Sequence, residues 1–223
     1  MNLFTSTVGR KILMAVTGLM LVGFITVHLL GNLSIFWGAD AINAYAKHLH
    51  DLGPLVWIFR LVMLCLFAIH ITFGVQLYLE NKAANPEPYA VQKTLVTTFS
   101  AKTMVFTGLI ILAFLIYHLL HFTVQVTNPD ISAHNLPLVD GHLDVFTMVV
   151  MSFQKVFIAI IYLIAMVALF LHLSHGVSSW VQTLGWSTGP SQDKVTALGK
   201  LVAIVYGLAY IAIPLFILAH IVK

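Results

Sequence analysis

The chain has 223 residues, of which 60% are hydrophobic and 9% are charged, and its formal net charge at pH 7 is +3. Soluble domains carry about 25% charged residues, so this composition excludes an ordinary soluble protein, and no nucleic acid is expected as a partner. Cys65 is the single cysteine, which excludes a disulfide framework, a cysteine-rich metal site and a CxxCH motif for covalent haem attachment.

Five apolar runs follow one another along the chain, and each is long enough to cross a membrane. A helix needs about 20 residues to span a hydrocarbon core roughly 30 Å thick. Glycine and proline punctuate the chain between runs at Gly53-Pro54, Pro86, Pro88 and Gly189-Pro190. The sequence therefore predicts one all-α transmembrane domain over residues 1–223, with helices one to four forming a bundle. The predicted spans are 12–35, 55–79, 103–126, 153–181 and 199–222.

The first run directly follows Arg10 and Lys11, but it is too long for a signal peptide and no small-residue cleavage site follows it. We therefore expect it to remain as a helix of the mature protein. Lysine and arginine are more frequent on the side of the N-terminus, which predicts a cytoplasmic N-terminus and an external C-terminus. The cytoplasmic set is Arg10, Lys11, Lys82, Lys93, Lys102, Lys194 and Lys200, and the external set is Lys47, Arg60, Lys155 and Lys223.

The first and third predicted helices contain similar sequences. The stretch TGLMLVGFITVHLLG at 17–31 matches TGLIILAFLIYHLLH at 107–121 at seven of fifteen positions. His28 of the first stretch corresponds to His118 of the second. An internal repeat of this kind indicates a duplicated structural unit.

The second and fourth predicted helices also share a motif. The stretch HITFGV at 70–75 has the same outline as HLSHGV at 172–177, and His70 corresponds to His172. The second histidine of the later motif has no counterpart in the earlier one. Helices one and two are therefore predicted to form one unit, and helices three and four a parallel copy of it.

Helix depth arranges the four matched histidines as two pairs. Counted from the cytoplasmic helix ends, His28 and His118 lie deeper than His70 and His172, and the two levels differ by roughly 10 Å at 1.5 Å per residue. The first pair is predicted toward the outside and the second toward the cytoplasm. Two imidazoles at one level on different helices can occupy both axial positions of a haem iron, so two haems are expected. Two glycines, each one turn after a ligand of the second pair, are expected to leave room for a porphyrin: Gly74 and Gly176.

Other roles for intramembrane histidines must be weighed against haem ligation. A single such histidine is often a hydrogen-bonded core residue or part of a proton path. Non-haem iron is disfavoured because no intramembrane carboxylate accompanies the histidines. The main alternative is a proton-coupled transporter, which would usually show discontinuous helices or a charge at mid-depth, and this sequence shows neither.

The remaining histidines receive weaker assignments. His121 and His175 are predicted to pack beside the ligands or to support them. The others are treated as surface residues or quinone-site candidates, in the outer loops or near the outer end of the fifth helix: His48, His50, His134, His142 and His220.

Four stretches of the chain resemble one known family. They are STVGRKILMAVTGLMLVGFITVHLLGNL at 6–33, INAYAKHLHDLGPLVWIFRLVMLCLFAIH at 42–70 and HLSHGVSSWVQTLGW at 172–186, with TGLIILAFLIYHLLHF between them. They are similar to the five-helix, dihaem cytochrome b subunit of succinate dehydrogenases and fumarate reductases. The resemblance covers most of the chain.

The resemblance implies a function and a set of partners. It implies that the chain is the non-flavin membrane subunit of a succinate:quinone oxidoreductase or quinol:fumarate reductase. It implies b-type haems at His28, His70, His118 and His172, and a site for menaquinone or ubiquinone. It further implies a flavoprotein subunit and an iron–sulfur subunit on the cytoplasmic face of a prokaryotic inner membrane, with lipid around the helices. Some relatives carry a glutamate two residues before the last ligand for a proton path, and here that position is Phe170.

Two places are candidates for the quinone site. At the outer end, His48, Asp51 and Arg60 cluster in sequence around the start of the second helix, where an imidazole or carboxylate could take the protons that quinol oxidation releases. Arg60 could instead bind a haem propionate, and each residue alone could be an ordinary interfacial side chain. At the inner end, Ser6 and Arg10 could line a pocket or act as a helix cap and a topology signal. The sequence favours the outer site.

Overall fold

A computed structural model of the chain describes residues 2–84 and 97–223. Pro86, Pro88 and Lys93, which entered the loop and orientation predictions, lie outside the described residues. The described residues form helices and no strand, apart from an isolated bridge between Val139 and His142. Five helical segments are long and apolar enough to cross a membrane, which confirms an all-α, multi-pass membrane protein. These segments are Thr7–Trp37, Pro54–Ala83, Met104–Thr123, Val156–Thr183 and Gly189–Leu218.

The described residues contain eight α-helices. They are α1 (Thr7–Leu33), α2 (Ala39–Asp51), α3 (Pro54–Ala83), α4 (Phe99–Lys102), α5 (Met104–His118), α6 (Val145–Gln154), α7 (Val156–Thr183) and α8 (Gly189–Leu218). A 3₁₀ segment, Ser34–Trp37, follows α1, a π-helical turn, Leu119–Thr123, follows α5, and a second 3₁₀ segment is Pro129–Ile131.

The predicted start of the fifth span is wrong by about three helical turns. Helix α8 begins at Gly189 rather than at 199, because Thr188 and Ser191 form a capping box and Pro190 occupies the first turn. The Gly-Pro pair therefore starts the helix instead of preceding it in a loop. Helix α8 also ends at Leu218, so the last residues of the predicted span lie outside it.

The five long helices form an antiparallel bundle with one covered end. Helix α1 packs against α3 and α7, helix α5 packs against α7 and less extensively against α3, and α8 lies on α7 and α1. Helices α1 and α5 are therefore diagonal neighbours, as are α3 and α7. Much of α3 is exposed, as expected for a surface that faces lipid.

Two helices outside the five spans cover one end of the bundle, which we call the cap end; the opposite end, where α1 begins, is the N-terminal end. The cap helices are α2 and α6, and they pack against each other. Tyr45 of α2 lies over Gly31 of α1, where a Cβ atom would collide with the tyrosine ring. His48 and His50, predicted in a loop, thus belong to helix α2.

Asn43 and Asp144 join the two cap helices by hydrogen bonds. The Asn43 Oδ1 accepts from the backbone N–H of Phe146 at 2.9 Å, and its Nδ2 donates to Asp144 Oδ1 at 3.2 Å. Asp144 also caps α6 by accepting from the backbone N–H of Thr147 at 3.0 Å. Burial alone would raise the pKa of Asp144, but the hydrogen bonds from Thr147 and Asn43 outweigh it, so the pKa is lowered.

Replacing Asp144 with alanine is expected to loosen the cap, because an N-cap residue contributes about 1 kcal/mol. Amide hydrogen exchange should become faster in α6 (Val145–Gln154). The pKa of Asp144 is lower in the folded state than in the unfolded state. The stabilisation by its carboxylate is therefore present above the unfolded-state pKa of about 3.9 and is lost as the pH falls through the folded-state pKa. Asp193→Ala, at an exposed position near the N-terminal end, is the control and should leave exchange in α6 unchanged. Equal protection of α6 in Asp144→Ala and the wild type would contradict this account.

Candidate functional site: two histidine pairs

The structure brings the four repeat-matched histidines together as two pairs. The ring centres of His28 and His118 are 5.8 Å apart with an interplanar angle of 88°, and those of His70 and His172 are 6.4 Å apart with an angle of 65°. The first pair joins α1 to α5 and the second joins α3 to α7, so each pair crosses a diagonal of the bundle. All four side chains are half-buried.

Two threonines orient the His70/His172 pair. The Thr17 hydroxyl donates to the Leu13 carbonyl at 2.7 Å and lies 3.3 Å from His70 Nδ1. Because the single hydroxyl proton is already donated, Thr17 Oγ1 accepts from Nδ1–H. His70 therefore presents the lone pair of Nε2, which is the form that binds a metal.

The second copy of the repeat reproduces this arrangement. Thr107 Oγ1 donates to the Met104 carbonyl at 3.0 Å and lies 3.2 Å from His172 Nδ1. His172 is thereby held with Nε2 as the unprotonated nitrogen. Sequence reasoning did not identify these two threonines, although both belong to the Thr-Gly dipeptide that opens each copy of the repeat.

The glycine of each Thr-Gly dipeptide lies against a histidine ring. A Cβ atom built on Gly18 would be 3.2 Å from His70 Cε1, and one built on Gly108 would be 3.4 Å from His172 Cε1. The glycines predicted from the other motif are placed differently. Gly74 lies near Met14. The space beside Gly176 is open, since a Cβ atom there would meet no described atom within 4 Å.

The two pairs are separated along the bundle by more than the predicted 10 Å. His70 contacts Thr17 of α1, and His28 follows Thr17 by eleven residues on the same helix. At 1.5 Å per residue this corresponds to roughly 16 Å. The prediction counted each depth from helix ends taken from the apolar pattern, whereas the contact between His70 and Thr17 places these two residues at one level directly.

The cap-end pair has different supports on its two sides. His28 stacks on Phe24 with ring centres 5.5 Å apart, and its Nε2 lies 3.3 Å from Asn32 Nδ2. On the other side, His118 Nδ1 lies 3.2 Å from the Tyr162 hydroxyl. A metal can bind His28 Nε2 only if the 3.3 Å contact of this atom with Asn32 Nδ2 is lost. His118 makes its hydrogen bond to Tyr162 through Nδ1, so its Nε2 is not engaged by that bond.

Both pairs have a spacing that fits two axial ligands of one metal ion. Metal–imidazole bonds are about 2 Å long, which places the centres of two opposed rings roughly 6 Å apart. No group of three or more His, Cys, Asp or Glu side chains able to hold a metal occurs among the described residues. A porphyrin iron needs only two protein ligands, so these donor sets fit haem better than a metal held by protein alone.

Asp51 and Arg60, two of the outer quinone candidates, each contact a different neighbour and not each other. Asp51, at the end of α2, forms an ion pair with Lys47 at 2.5 Å. The hydrogen bond from Lys47 lowers the pKa of Asp51, and the nearby His142 and His48 add smaller effects. Arg60 on α3 is exposed, and its guanidinium lies over the Trp57 ring at 4.7 Å.

The inner candidates have structural contacts of their own. The Ser6 hydroxyl caps α1 by accepting from the backbone N–H of Gly9 at 3.0 Å. Arg10 forms an ion pair with Glu80 at 2.5 Å, which joins the start of α1 to the end of α3, and its side chain is 13% exposed. Ser6 therefore acts as a helix cap and Arg10 as a tie between helices, and a quinone role stays a prediction for both candidate sites.

Phe170 and His175 of α7 make packing and backbone contacts. Phe170 lies against Gly207 of α8, where a Cβ atom would be 3.3 Å from the Phe170 Cβ. His175 is half-buried, and its backbone carbonyl accepts from the Ser178 hydroxyl at 3.0 Å. Phe170 is therefore part of an apolar helix contact.

The fold and the two pairs define a multi-pass, all-α membrane protein with two candidate metal sites at different depths. No protein-family model matches the chain, and no curated protein or solved structure matches it.

Proposed function

We propose that the chain is the membrane-anchor cytochrome b subunit of a succinate dehydrogenase or fumarate reductase complex, carrying electrons between a membrane quinone and a flavin/iron–sulfur head. The observation that carries this proposal is the presence of two histidine pairs, His28/His118 and His70/His172, at two depths of one bundle. Each pair is formed by repeat-equivalent residues on diagonal helices, and each has the spacing of two axial ligands.

The residues of this chain would bind and orient two b haems. When bound, each haem supplies a one-electron redox centre. His70 and His172 present Nε2 because Thr17 and Thr107 accept from their Nδ1–H groups. The surrounding apolar helices exclude water, and axial histidines and burial tune the potential of such a centre.

We propose that the protein lies in the inner membrane of a prokaryote, with the N-terminal end in the cytoplasm and the cap end outside. Exposed lysines at the N-terminal end support this orientation under the positive-inside rule. They also offer a surface for an acidic soluble partner, which we take to be the flavoprotein and iron–sulfur subunits. Among the described residues, the exposed lysines at this end are Lys11, Lys82, Lys102, Lys194 and Lys200.

A visible spectrum of the purified protein tests this function. Two b-type haems per chain are expected in the dithionite-reduced minus oxidised spectrum, with haem counted as its pyridine complex. A purified, folded chain that holds no haem would overturn the proposal. That outcome would favour the proton-coupled transporter, which would use the intramembrane histidines as relay groups.

Menaquinone or ubiquinone is proposed to react at the cap end, with Asp51 or His48 taking the protons. Two haems at different depths are useful when electrons must cross most of the membrane, which places the quinone far from the cytoplasmic head. Asp51→Asn is expected to lower quinol-coupled turnover at least about tenfold, as loss of a general base does. Haem content and the dye-linked activity of the head should not change.

Asp130→Asn is the matched control for this prediction. Asp130 is another exposed carboxylate, and it forms an ion pair with Lys155 at 3.1 Å, so its loss tests for a general effect of removing an ion pair. Full quinone activity in Asp51→Asn, together with its loss in Ser6→Ala or Arg10→Ala, would place the site at the N-terminal end.

A further inference from the structure

A chain of hydrogen bonds leads from the ligand His118 to helix α6. The Tyr162 hydroxyl lies 3.2 Å from His118 Nδ1 and 3.0 Å from His121 Nδ1. His121 Nε2 lies 3.2 Å from the Ser152 hydroxyl, which donates to the Met148 carbonyl at 2.7 Å. The three connecting side chains, Tyr162, His121 and Ser152, are all buried.

The direction of each hydrogen bond between His118 and Ser152 follows from the bond that the Ser152 hydroxyl donates. Because Ser152 donates its only proton to a carbonyl, its oxygen accepts from His121 Nε2–H. Neutral His121 then has a lone pair on Nδ1 and accepts the Tyr162 proton. The Tyr162 oxygen in turn accepts from His118 Nδ1–H, which leaves the His118 Nε2 lone pair for a metal.

The chain of hydrogen bonds is absent from the first copy of the repeat. Gly31 occupies the position that corresponds to His121, and the ring of Tyr45 lies there. The position on α3 that corresponds to Tyr162 is Arg60, which lies over Trp57 instead. His28, the ligand of the first copy that corresponds to His118, therefore has no tyrosine hydroxyl at its Nδ1 among the described residues. These hydrogen bonds therefore distinguish the ligand of α5 from its repeat partner on α1.

We propose that Tyr162, His121 and Ser152 are positioning residues that fix the tautomer of His118 and set the reduction potential of the cap-end haem. This inference rests on the proposed function, since it requires a haem at the cap-end pair. An acceptor on Nδ1–H makes an imidazole a stronger electron donor to its metal. Stronger donation favours the oxidised iron and lowers its reduction potential.

The Tyr162→Phe variant tests the proposal. Phenylalanine keeps the ring contacts to Phe114 and Phe153, whose centres are 4.9 and 4.8 Å away, but it removes the hydroxyl. The cap-end haem should titrate at a higher potential and bind about 10- to 100-fold more weakly, as after loss of similar supports at other metal sites. The other haem serves as a reference within the same molecule and should not shift.

Tyr210→Phe is the matched control. The Tyr210 ring centre lies 6.4 Å from that of His28, and its hydroxyl donates to the Ile25 carbonyl at 2.7 Å rather than to a ligand. This variant should keep the wild-type potentials of both haems. His121→Ala should keep both haems bound and shift the cap-end potential in the same direction as Tyr162→Phe, by a smaller amount.

The outcomes separate this inference from the proposed function. A wild-type chain without haem overturns the function and the inference together. Two haems in the wild type, with the same potentials and occupancy in Tyr162→Phe as in Tyr210→Phe, overturn the inference alone. A shift confined to the haem that is lost in His118→Ala supports it.

Discussion

Replacing His172 with alanine is expected to remove one of two haems and to abolish electron transfer between quinol and the head. A haem iron held by two axial imidazoles loses half of its protein ligands when one of them is removed. His70→Ala should remove the same haem, since the two ring centres lie 6.4 Å apart. Difference spectra and the haem-to-protein ratio measure the loss.

The two histidine pairs predict which haem each variant should lose. His28→Ala and His118→Ala should remove the other haem and leave the first one in place. His175→Ala is the control, because His175 lies one turn from His172 but belongs to neither pair. Retention of both haems in His172→Ala, with a loss in His175→Ala, would show that the similarity of HITFGV and HLSHGV is a coincidence. Loss of one and the same haem in His28→Ala and His70→Ala would contradict the parallel repeat.

Gly18→Val is expected to remove the haem of the His70/His172 pair although neither ligand is replaced. The first added carbon would lie 3.2 Å from His70 Cε1, and the branched methyl groups extend further into the ring. Overpacking of this kind costs about 1–3 kcal/mol and is relieved by moving the side chain. A displaced imidazole cannot keep the metal–nitrogen bond of about 2 Å. The spectrum should then resemble that of His70→Ala.

Gly23→Val is the control on the same helix. A Cβ atom on Gly23 would meet no described atom within 4 Å, so this variant should keep both haems and report on any general effect of valine in α1. Gly108→Val should have a similar but weaker effect at His172, because a Cβ atom there would lie 3.4 Å from His172 Cε1. Full haem content in Gly18→Val would show that the ring of His70 is free to move and that Thr17 does not fix it.

Hydrophobic length and the repeat made most of the architecture predictable from sequence. A run of about 20 apolar residues has few alternatives to a membrane helix, and all five runs correspond to candidate spans. The pairs His28/His118 and His70/His172 followed from repeat position and depth, and the structure brings the members of each pair together. Which cofactor they bind stays a prediction.

Helix ends and the cap were not predictable from the apolar pattern. The start of α8 depends on a capping box and a proline, which lie in a polar segment outside the hydrophobic run. Helices α2 and α6 are short, and their packing depends on the hydrogen bonds of Asn43 across about a hundred residues of chain. Local periodicity contains no information about such a partner.

The sequence by itself determined five spans, a duplicated unit and four matched histidines, because these depend on local hydrophobicity and on helical depth. Only the tertiary structure decided which groups hold the imidazoles: Thr17 for His70, Thr107 for His172 and Tyr162 for His118. The physical reason is that these hydrogen bonds join different helices. They depend on how each helix is rotated about its axis and how closely it packs, which the order of residues along one helix does not specify.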